Sequence, residues 1–91
     1  MATAYVTGAD RGLGLALTEG LLERGYQVYA GSYMSDWPEL DRLAETYPKQ
    51  LVQVPLDVSN GASVTAAADI IASQTPSLDL LINNAGIHNS W

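Results

Sequence analysis

The chain has 91 residues, a net charge of −6 and no cysteine, which fits one small domain and excludes disulfides and thiolate metal sites. Its acidity, with only 4 lysine and arginine residues, argues against nucleic acid or an anionic membrane as a partner. No apolar run is long enough to span a membrane and no basic-then-apolar leader begins the chain, so we expect a cytoplasmic protein.

The first part of the chain alternates strand-like and helix-like segments. The β-branched and aromatic run Thr3–Thr7 predicts a first strand. Apolar residues at helical spacing predict a helix over Leu13–Arg24, and Gly25 stands where a helix stop belongs. The run Tyr26–Ser32 predicts a second strand.

A second helix is predicted to begin within Asp36–Glu39. This segment combines an acidic cap, a proline suited to the first turn and a glutamate that completes a capping box. Pro48 is expected to end the helix. Leu51–Leu56 predicts a third strand, in which Pro55 must lie near the end or on an edge.

A third helix and a fourth strand complete the pattern. Either Ser59 or Asn60 is expected to start the helix, and Pro76 closes that region. Leu78–Ile82 predicts the fourth strand, and Asn83–Gly86 the turn after it.

The predicted order β-α-β-α-β-α-β indicates an α/β protein with a doubly wound parallel sheet and right-handed crossovers, the N-terminal half of a Rossmann fold. That arrangement places the four strands in the order 3-2-1-4. Strands one and four then lie side by side at the topological switch point. The turns after them hold the most informative motifs.

The turn after the first strand, Thr7–Gly14, is rich in glycine and opens a predicted helix. Glycine permits positive φ and a close approach of the backbone to a ligand. The helix N-terminus offers unpaired N–H groups and partial positive charge, which suit a pyrophosphate. The alternative is a plain tight turn. The spacing is T-G-x-x-x-G-x-G rather than the common G-x-G-x-x-G.

Two further motifs accompany this loop: Asp57-Val58 after the third strand and Asn83–Gly86 after the fourth. With all three in order, essentially the whole chain resembles the short-chain dehydrogenase/reductase family. The segments Val28–Gly31 and Leu80–Gly86 resemble its carbonyl-reductase-like members. A sugar-nucleotide epimerase of the extended branch is a weaker match, because those enzymes typically show T-G-x-x-G-x-x-G.

The resemblance implies a dinucleotide site assembled from the four strand ends. In the family the glycines shape the pyrophosphate loop, Asp57 accepts from the adenine amino group, and Asn84 with its neighbours lines the nicotinamide-side ribose. Asn83 is expected to tie strand four to its neighbours. Helix capping is the alternative for Asp57, and turn formation for the asparagines. The implied cofactor-binding residues are Gly8, Arg11, Gly12, Leu13, Gly14, Ser32, Asp57, Val58, Asn84, Ala85 and Gly86.

The preferred cofactor is expected to be NADP, with NAD as the alternative. Dinucleotide sites that prefer NAD usually carry an acidic residue at the end of strand two, and this chain has Ser32 there. Arg11 stands where NADP-dependent members of the family often place a basic residue, and arginine suits a phosphate. Tyr33 and Asp10 depart from that pattern, because many such members have arginine and a neutral polar residue at these positions.

The family's chemistry needs Tyr-x-x-x-Lys, and no tyrosine of this chain is followed by lysine four residues later. The only lysine is Lys49, and His88 is expected to be solvated, so we assign no catalytic residue and no metal site. Residues 1–91 are therefore expected to be an NAD(P)-binding domain truncated before the catalytic segment. The parent would transfer hydride between nicotinamide and a small carbonyl or alcohol substrate, and a homo-oligomer is left open. The alternative is a stand-alone, non-catalytic nucleotide-binding module.

The fourth strand is expected to be the least protected element. In the family further strands follow on its open side, whereas here the apolar run Leu78–Ile82 would have one edge unpaired. Part of one sheet face would also lack a covering helix. We therefore expect the isolated 91-residue chain to associate, aggregate or be partly molten.

Overall fold

The computed structural model describes residues 2–9, 12–32 and 38–83, and within them the predicted strand–helix alternation is confirmed. Boundaries shift by a residue or two from those expected, as is usual at element ends. The elements are β1 (Thr3–Thr7), α1 (Gly12–Glu23), β2 (Gln27–Ser32), α2 (Pro38–Thr46), β3 (Leu51–Pro55), α3 (Gly61–Gln74) and β4 (Leu80–Asn83).

The four strands form one parallel sheet in the order β3-β2-β1-β4, which confirms the predicted topology. β1 and β4 are neighbours, and their register pairs Thr7 with Asn83 at the carboxyl ends. Pro55 is the last residue of β3, and β3 is an edge strand, so the missing N–H removes no bond from the sheet interior.

Alternate strand residues point to opposite faces of the sheet, and both faces carry apolar side chains. Helices cover each of the two faces. On one face Leu22 of α1 and Leu40 of α2 pack against buried residues of the three strands β1, β2 and β3. On the other face Ala67 and Ile71 of α3 pack against Tyr29 of β2 and against β3. The core therefore lies in two layers, one against β1, β2 and β3 and the other mainly against β2 and β3.

Helix α1 ends as the glycine at position 25 predicted. Gly25 has φ +88°, in the left-handed region, and its N–H donates to the Leu22 carbonyl at 3.0 Å. The Tyr26 N–H donates to the Leu21 carbonyl at 3.0 Å. These bonds satisfy carbonyls that the end of the helix would otherwise leave unpaired.

Of the two residues expected to start the third helix, Asn60 is the cap. Its Oδ1 accepts from the N–H groups of Ala62 at 2.9 Å and Ser63 at 3.3 Å. Ser59 lies outside the helix and makes a different hydrogen bond, described below. Both residue types are good caps, so composition alone left the choice open.

Strand β4 begins at Leu80 rather than at the predicted Leu78. The reason is its pairing with β1: the first paired residues are Ala4 of β1 and Leu80 of β4. Just before the strand, Asp79 is fixed to Thr3 twice. The Thr3 N–H donates to Asp79 Oδ2 at 2.8 Å, and the Asp79 N–H donates to the Thr3 carbonyl at 2.8 Å.

One end of the α3-covered face is open. Helix α3 lies over the β3 side of the sheet, and Leu81 of β4, which shares that face with Tyr5, is 60% exposed. Beside them runs a groove of about 230 Å³, lined by Tyr5, Ala68, Ile71, Ala72 and Leu78 among others. This matches the bare face expected from the sequence.

We expect a polypeptide of these 91 residues to associate in solution, because β4 presents an edge to which another strand can add and an apolar residue beside it. Size-exclusion chromatography with light scattering at tens of micromolar should show species larger than a monomer. The substitution Leu81→Lys should shift the population toward monomer.

Ile70→Lys is the matched control, because Ile70 is an exposed residue of α3 (37% exposed) that is not among the residues lining this groove. It should leave the association unchanged. A monomer with a sharp cooperative melt in the unsubstituted chain would contradict the expectation.

Candidate functional site

The candidate site lies at the carboxyl edge of the sheet, where backbone hydrogen bonds join two turns to the end of β2. The Ala9 N–H, in the turn after β1, donates to the Gly31 carbonyl of β2 at 2.9 Å. The Leu56 N–H, directly after β3, donates to the Ser32 carbonyl at the end of β2 at 2.9 Å. The turns after β1 and β3 are therefore both anchored on the end of β2.

The glycine loop after β1 has the backbone that its sequence predicted. Gly8 has φ +64° and Gly12 has φ +62°, a region that glycine enters without steric cost. Within the described residues, a Cβ at Gly12 would meet no atom of a neighbouring segment within 4 Å, so the surface there is open. Helix α1 begins at Gly12, and its first-turn N–H groups have no partner within the helix.

Behind the loop, one face of the first turns of α1 is buried. Gly14 is buried, and its carbonyl accepts from the buried Thr18 hydroxyl at 2.8 Å. Leu13, next to it, is 58% exposed at the opening of the helix. Arg11, the expected partner of a 2′-phosphate, lies outside the described residues.

Gly31 is a site residue that the sequence analysis did not single out for its backbone. A Cβ there would lie 2.7 Å from Leu56 Cδ2 and 3.3 Å from Tyr5 Cε1. Glycine thus lets the end of β2 approach the chain after β3 while its carbonyl holds the Ala9 N–H. A glycine inside a strand is the sequence signal for such an approach.

The turn after β3 holds Asp57 by both its backbone and its side chain. The Asp57 N–H donates to the Ser63 hydroxyl at 2.8 Å, and the Asn60 N–H donates to the Asp57 carbonyl at 3.0 Å. The carboxylate Oδ1 accepts from the Ser59 N–H at 3.0 Å and from the Ser59 hydroxyl at 2.6 Å. Since Asn60 caps α3, the capping alternative for Asp57 is not what the structure shows. Val58 is 48% exposed in the same turn.

At the end of β4, Asn83 is tied to β1 as expected. The Thr7 hydroxyl approaches Asn83 Oδ1 at 3.1 Å and the Ile82 carbonyl at 3.4 Å. The tie brings the end of β4 beside the start of the glycine loop. Asn84, Ala85 and Gly86, the residues expected at the nicotinamide ribose, lie outside the described residues, and their role stays a prediction.

Ser32 occupies the end of β2, where its carbonyl receives the Leu56 N–H and its register partner is Pro55. It is half-buried and adjoins the anchored turns after β1 and β3. Tyr33 and Asp36, which bear on the NADP preference and on the cap of α2, are outside the described residues.

The described part of the chain offers no acid/base tyrosine of the family type. Burial raises the pKa of the Tyr5 hydroxyl above its usual value, which is opposite to the direction that a proton-transferring tyrosine requires, and Ala9 stands four residues later. Among these residues no cluster of three histidine, aspartate or glutamate side chains is suited to a metal ion. None of the helices described has the length and apolarity to cross a membrane.

Known proteins share this arrangement. The family model for short chain dehydrogenases matches residues 2–91. A short-chain dehydrogenase/reductase of Colletotrichum higginsianum is 39% identical over 90 residues, covering 92% of this chain and 22% of the relative. The (+)-neomenthol dehydrogenase of Arabidopsis thaliana is 35% identical over 89 residues, covering 92% and 30%.

Solved structures of carbonyl reductases contain the same fold. The NADPH-bound carbonyl reductase from chicken fatty liver superposes with a TM-score of 0.86 at 39% identity, covering 96% of this chain and 35% of the other. A carbonyl reductase from Pseudomonas aeruginosa PAO1 in complex with NADP has a TM-score of 0.86 at 33% identity, covering 96% and 39%.

The chain belongs to the short-chain dehydrogenase/reductase family, as its three motifs indicated. It spans well under half the length of each of these relatives, from 22% to 39%.

The tie between β1 and β4 has a measurable consequence. Thr7→Val keeps the shape of the side chain but removes the hydroxyl from Asn83 Oδ1, and we expect a loss of about 1 kcal/mol in the free energy of unfolding. For a domain of this size, that lowers the melting temperature by roughly 4–8 °C. Circular dichroism in a urea or thermal titration measures it.

Thr7→Ser retains the hydroxyl and should restore most of the loss. Thr46→Val is the matched control, since the exposed Thr46 hydroxyl only donates to the Arg42 carbonyl within α2. Equal effects of the substitutions at positions 7 and 46 would show that the tie to Asn83 contributes nothing.

Proposed function

We propose that this chain is the cofactor-binding portion of an NAD(P)-dependent oxidoreductase, and that residues 1–91 form its dinucleotide-binding domain. The observation that carries the proposal is the glycine loop at the start of α1. Its backbone is anchored on β2 through Ala9 and Gly31, and it lies beside the end of β4 at the switch point. Doubly wound sheets bind nucleotides at that position.

The described residues fit a dinucleotide from the pyrophosphate to the adenine. The left-handed glycines and the open surface at Gly12 leave room for phosphate oxygens at the N–H groups of α1. Gly8, Gly14 and Leu13 complete that loop. Asp57 would accept from the adenine amino group, and Val58 lies exposed beside it.

The nicotinamide half would lie against the turn after β4, where Asn84, Ala85 and Gly86 follow Asn83 in the sequence. The tie from Thr7 to Asn83 supports this assignment because it fixes the strand from which the turn departs. The bound cofactor supplies hydride chemistry, and the protein orients it. The side chains that move the proton are not assigned within this chain.

The cofactor is proposed to be NADP(H) rather than NAD(H). Ser32 ends β2 without a carboxylate that would repel a 2′-phosphate, and Arg11 supplies a permanent positive charge in the loop. The similar carbonyl reductases from chicken and Pseudomonas aeruginosa are complexes with NADPH and NADP. The substrate would be a small carbonyl or alcohol compound, and the setting the cytoplasm, with neither nucleic acid nor membrane as partner.

A second candidate is a nucleotide-binding module without turnover. Both candidates require dinucleotide binding, and they differ in whether a longer chain performs the reaction.

The first test concerns Arg11. Arg11→Ala should weaken NADPH binding about tenfold, because it removes a charged partner of the 2′-phosphate, and should change NADH binding little. Fluorescence titration of the reduced dinucleotides with the protein measures both affinities. Arg24→Ala, at an exposed arginine after α1, is the matched control and should change neither. Equal losses for the two cofactors would show that Arg11 does not recognise the 2′-phosphate.

The second test concerns catalysis. A polypeptide of these 91 residues should show no oxidation of NADPH or NADH with a panel of aldehydes and ketones, because it lacks the tyrosine–lysine pair. A carbonyl reductase of the family serves as the positive control in the same absorbance assay. Protein-dependent oxidation of either reduced cofactor would contradict the prediction.

A further inference from the structure

The turn after β3 contains a side-chain contact that the proposed cofactor site does not explain by itself. Both the N–H and the hydroxyl of Ser59 donate to one oxygen of the Asp57 carboxylate, Oδ1, at 3.0 and 2.6 Å. No helix N–H uses that carboxylate, because Asn60 caps α3. The pair therefore does not serve to start the helix.

The contact fixes the direction of the carboxylate. The Asp57 backbone is held by Ser63 and Asn60, so only rotation of the side chain remains free, and two donors on Oδ1 oppose that rotation. Within the described residues the second oxygen, Oδ2, has no hydrogen bond of its own. One oxygen is thus committed to the turn and the other is available to a ligand.

The position of the turn indicates which part of a ligand would meet Oδ2. Leu56, directly before Asp57, is bonded to the end of β2 at Ser32, on the side of the sheet away from β4. A dinucleotide whose pyrophosphate lies at α1 and whose nicotinamide lies toward β4 would place its adenine on this side.

We propose that Ser59 is a positioning residue that makes the site selective for a 6-amino purine. The inference rests on the proposed function and adds to it. With Oδ1 held by Ser59, Oδ2 faces the exocyclic amine of adenine as an acceptor. Hypoxanthine carries a carbonyl oxygen at the same position, and two acceptors facing each other leave both without a donor. A carboxylate free to rotate would discriminate less, because it must be ordered upon binding.

The experiment compares NADPH with its hypoxanthine analogue, reduced nicotinamide hypoxanthine dinucleotide phosphate. Fluorescence titration measures the affinity of the purified protein for each. The protein should bind NADPH about tenfold more tightly, as expected for a hydrogen bond to a charged acceptor. Ser59→Ala should reduce this ratio to about threefold or less.

Threonine and valine have the same shape, so substituting each at position 59 separates the effect of the hydroxyl from the effect of side-chain packing. Ser59→Thr keeps the donor and should keep the ratio, whereas Ser59→Val should lower it as Ser59→Ala does. Asp57→Asn, whose amide can donate to the 6-oxo group, should abolish or invert the preference. Ser73→Ala is the control, since the exposed Ser73 hydroxyl lies at the far end of α3 and donates only to the Ile70 carbonyl. Circular dichroism confirms that each variant is folded.

A loss of stability in Ser59→Ala with an unchanged ratio would overturn the inference and show that the contact is only structural. A ratio near one in the unsubstituted protein would also overturn it, while leaving dinucleotide binding intact. Absence of binding by either dinucleotide would instead overturn the proposed function, and this inference with it.

Discussion

The pairing of β1 with β4 is the constraint on which the rest of the molecule depends. It joins the two ends of the described chain and is fixed at both ends by side chains. Asp79 holds Thr3 at the start of the pair, and Thr7 holds Asn83 at its end. In a parallel pair, a slip of one residue moves every side chain to the opposite face. The two contacts therefore decide that Asn83 ends beside the glycine loop.

The strands that build the site are unequally buried. β1 and β2 lie in the centre of the sheet, and their residues are largely buried. β4 is at the edge: Ile82 packs into the α1-covered layer, while Leu81, which points to the other face, is 60% exposed. The proposed pyrophosphate loop therefore follows one of the well-buried strands, whereas the turn proposed for the nicotinamide follows the least buried strand.

Much of the fold could be predicted because it is encoded locally. The alternation of periodicities identified the seven elements, Gly25 marked the end of α1, and the T-G-x-x-x-G-x-G spacing identified the family. The features that could not be predicted depend on distant neighbours. Leu78 is apolar and continues the apolar pattern of the predicted strand. The strand nevertheless begins at Leu80, because Leu80 is the first residue that pairs with β1. The steric reason for Gly31 appears only once Leu56 and Tyr5 are brought beside it.

The distinction between Ser59 and Asn60 shows how function can hide in a choice that composition leaves open. Either residue could cap α3, and a chain that used Ser59 for the helix would leave Asp57 without its 2.6 Å donor. Because Asn60 takes the two first-turn N–H groups, Ser59 is released to hold the carboxylate. Asn60 and Ser63 therefore hold the backbone of Asp57, whereas Ser59 holds its carboxylate. A carboxylate held in this way needs less ordering when a ligand arrives, which is the physical basis of the selectivity proposed for this short and largely exposed turn.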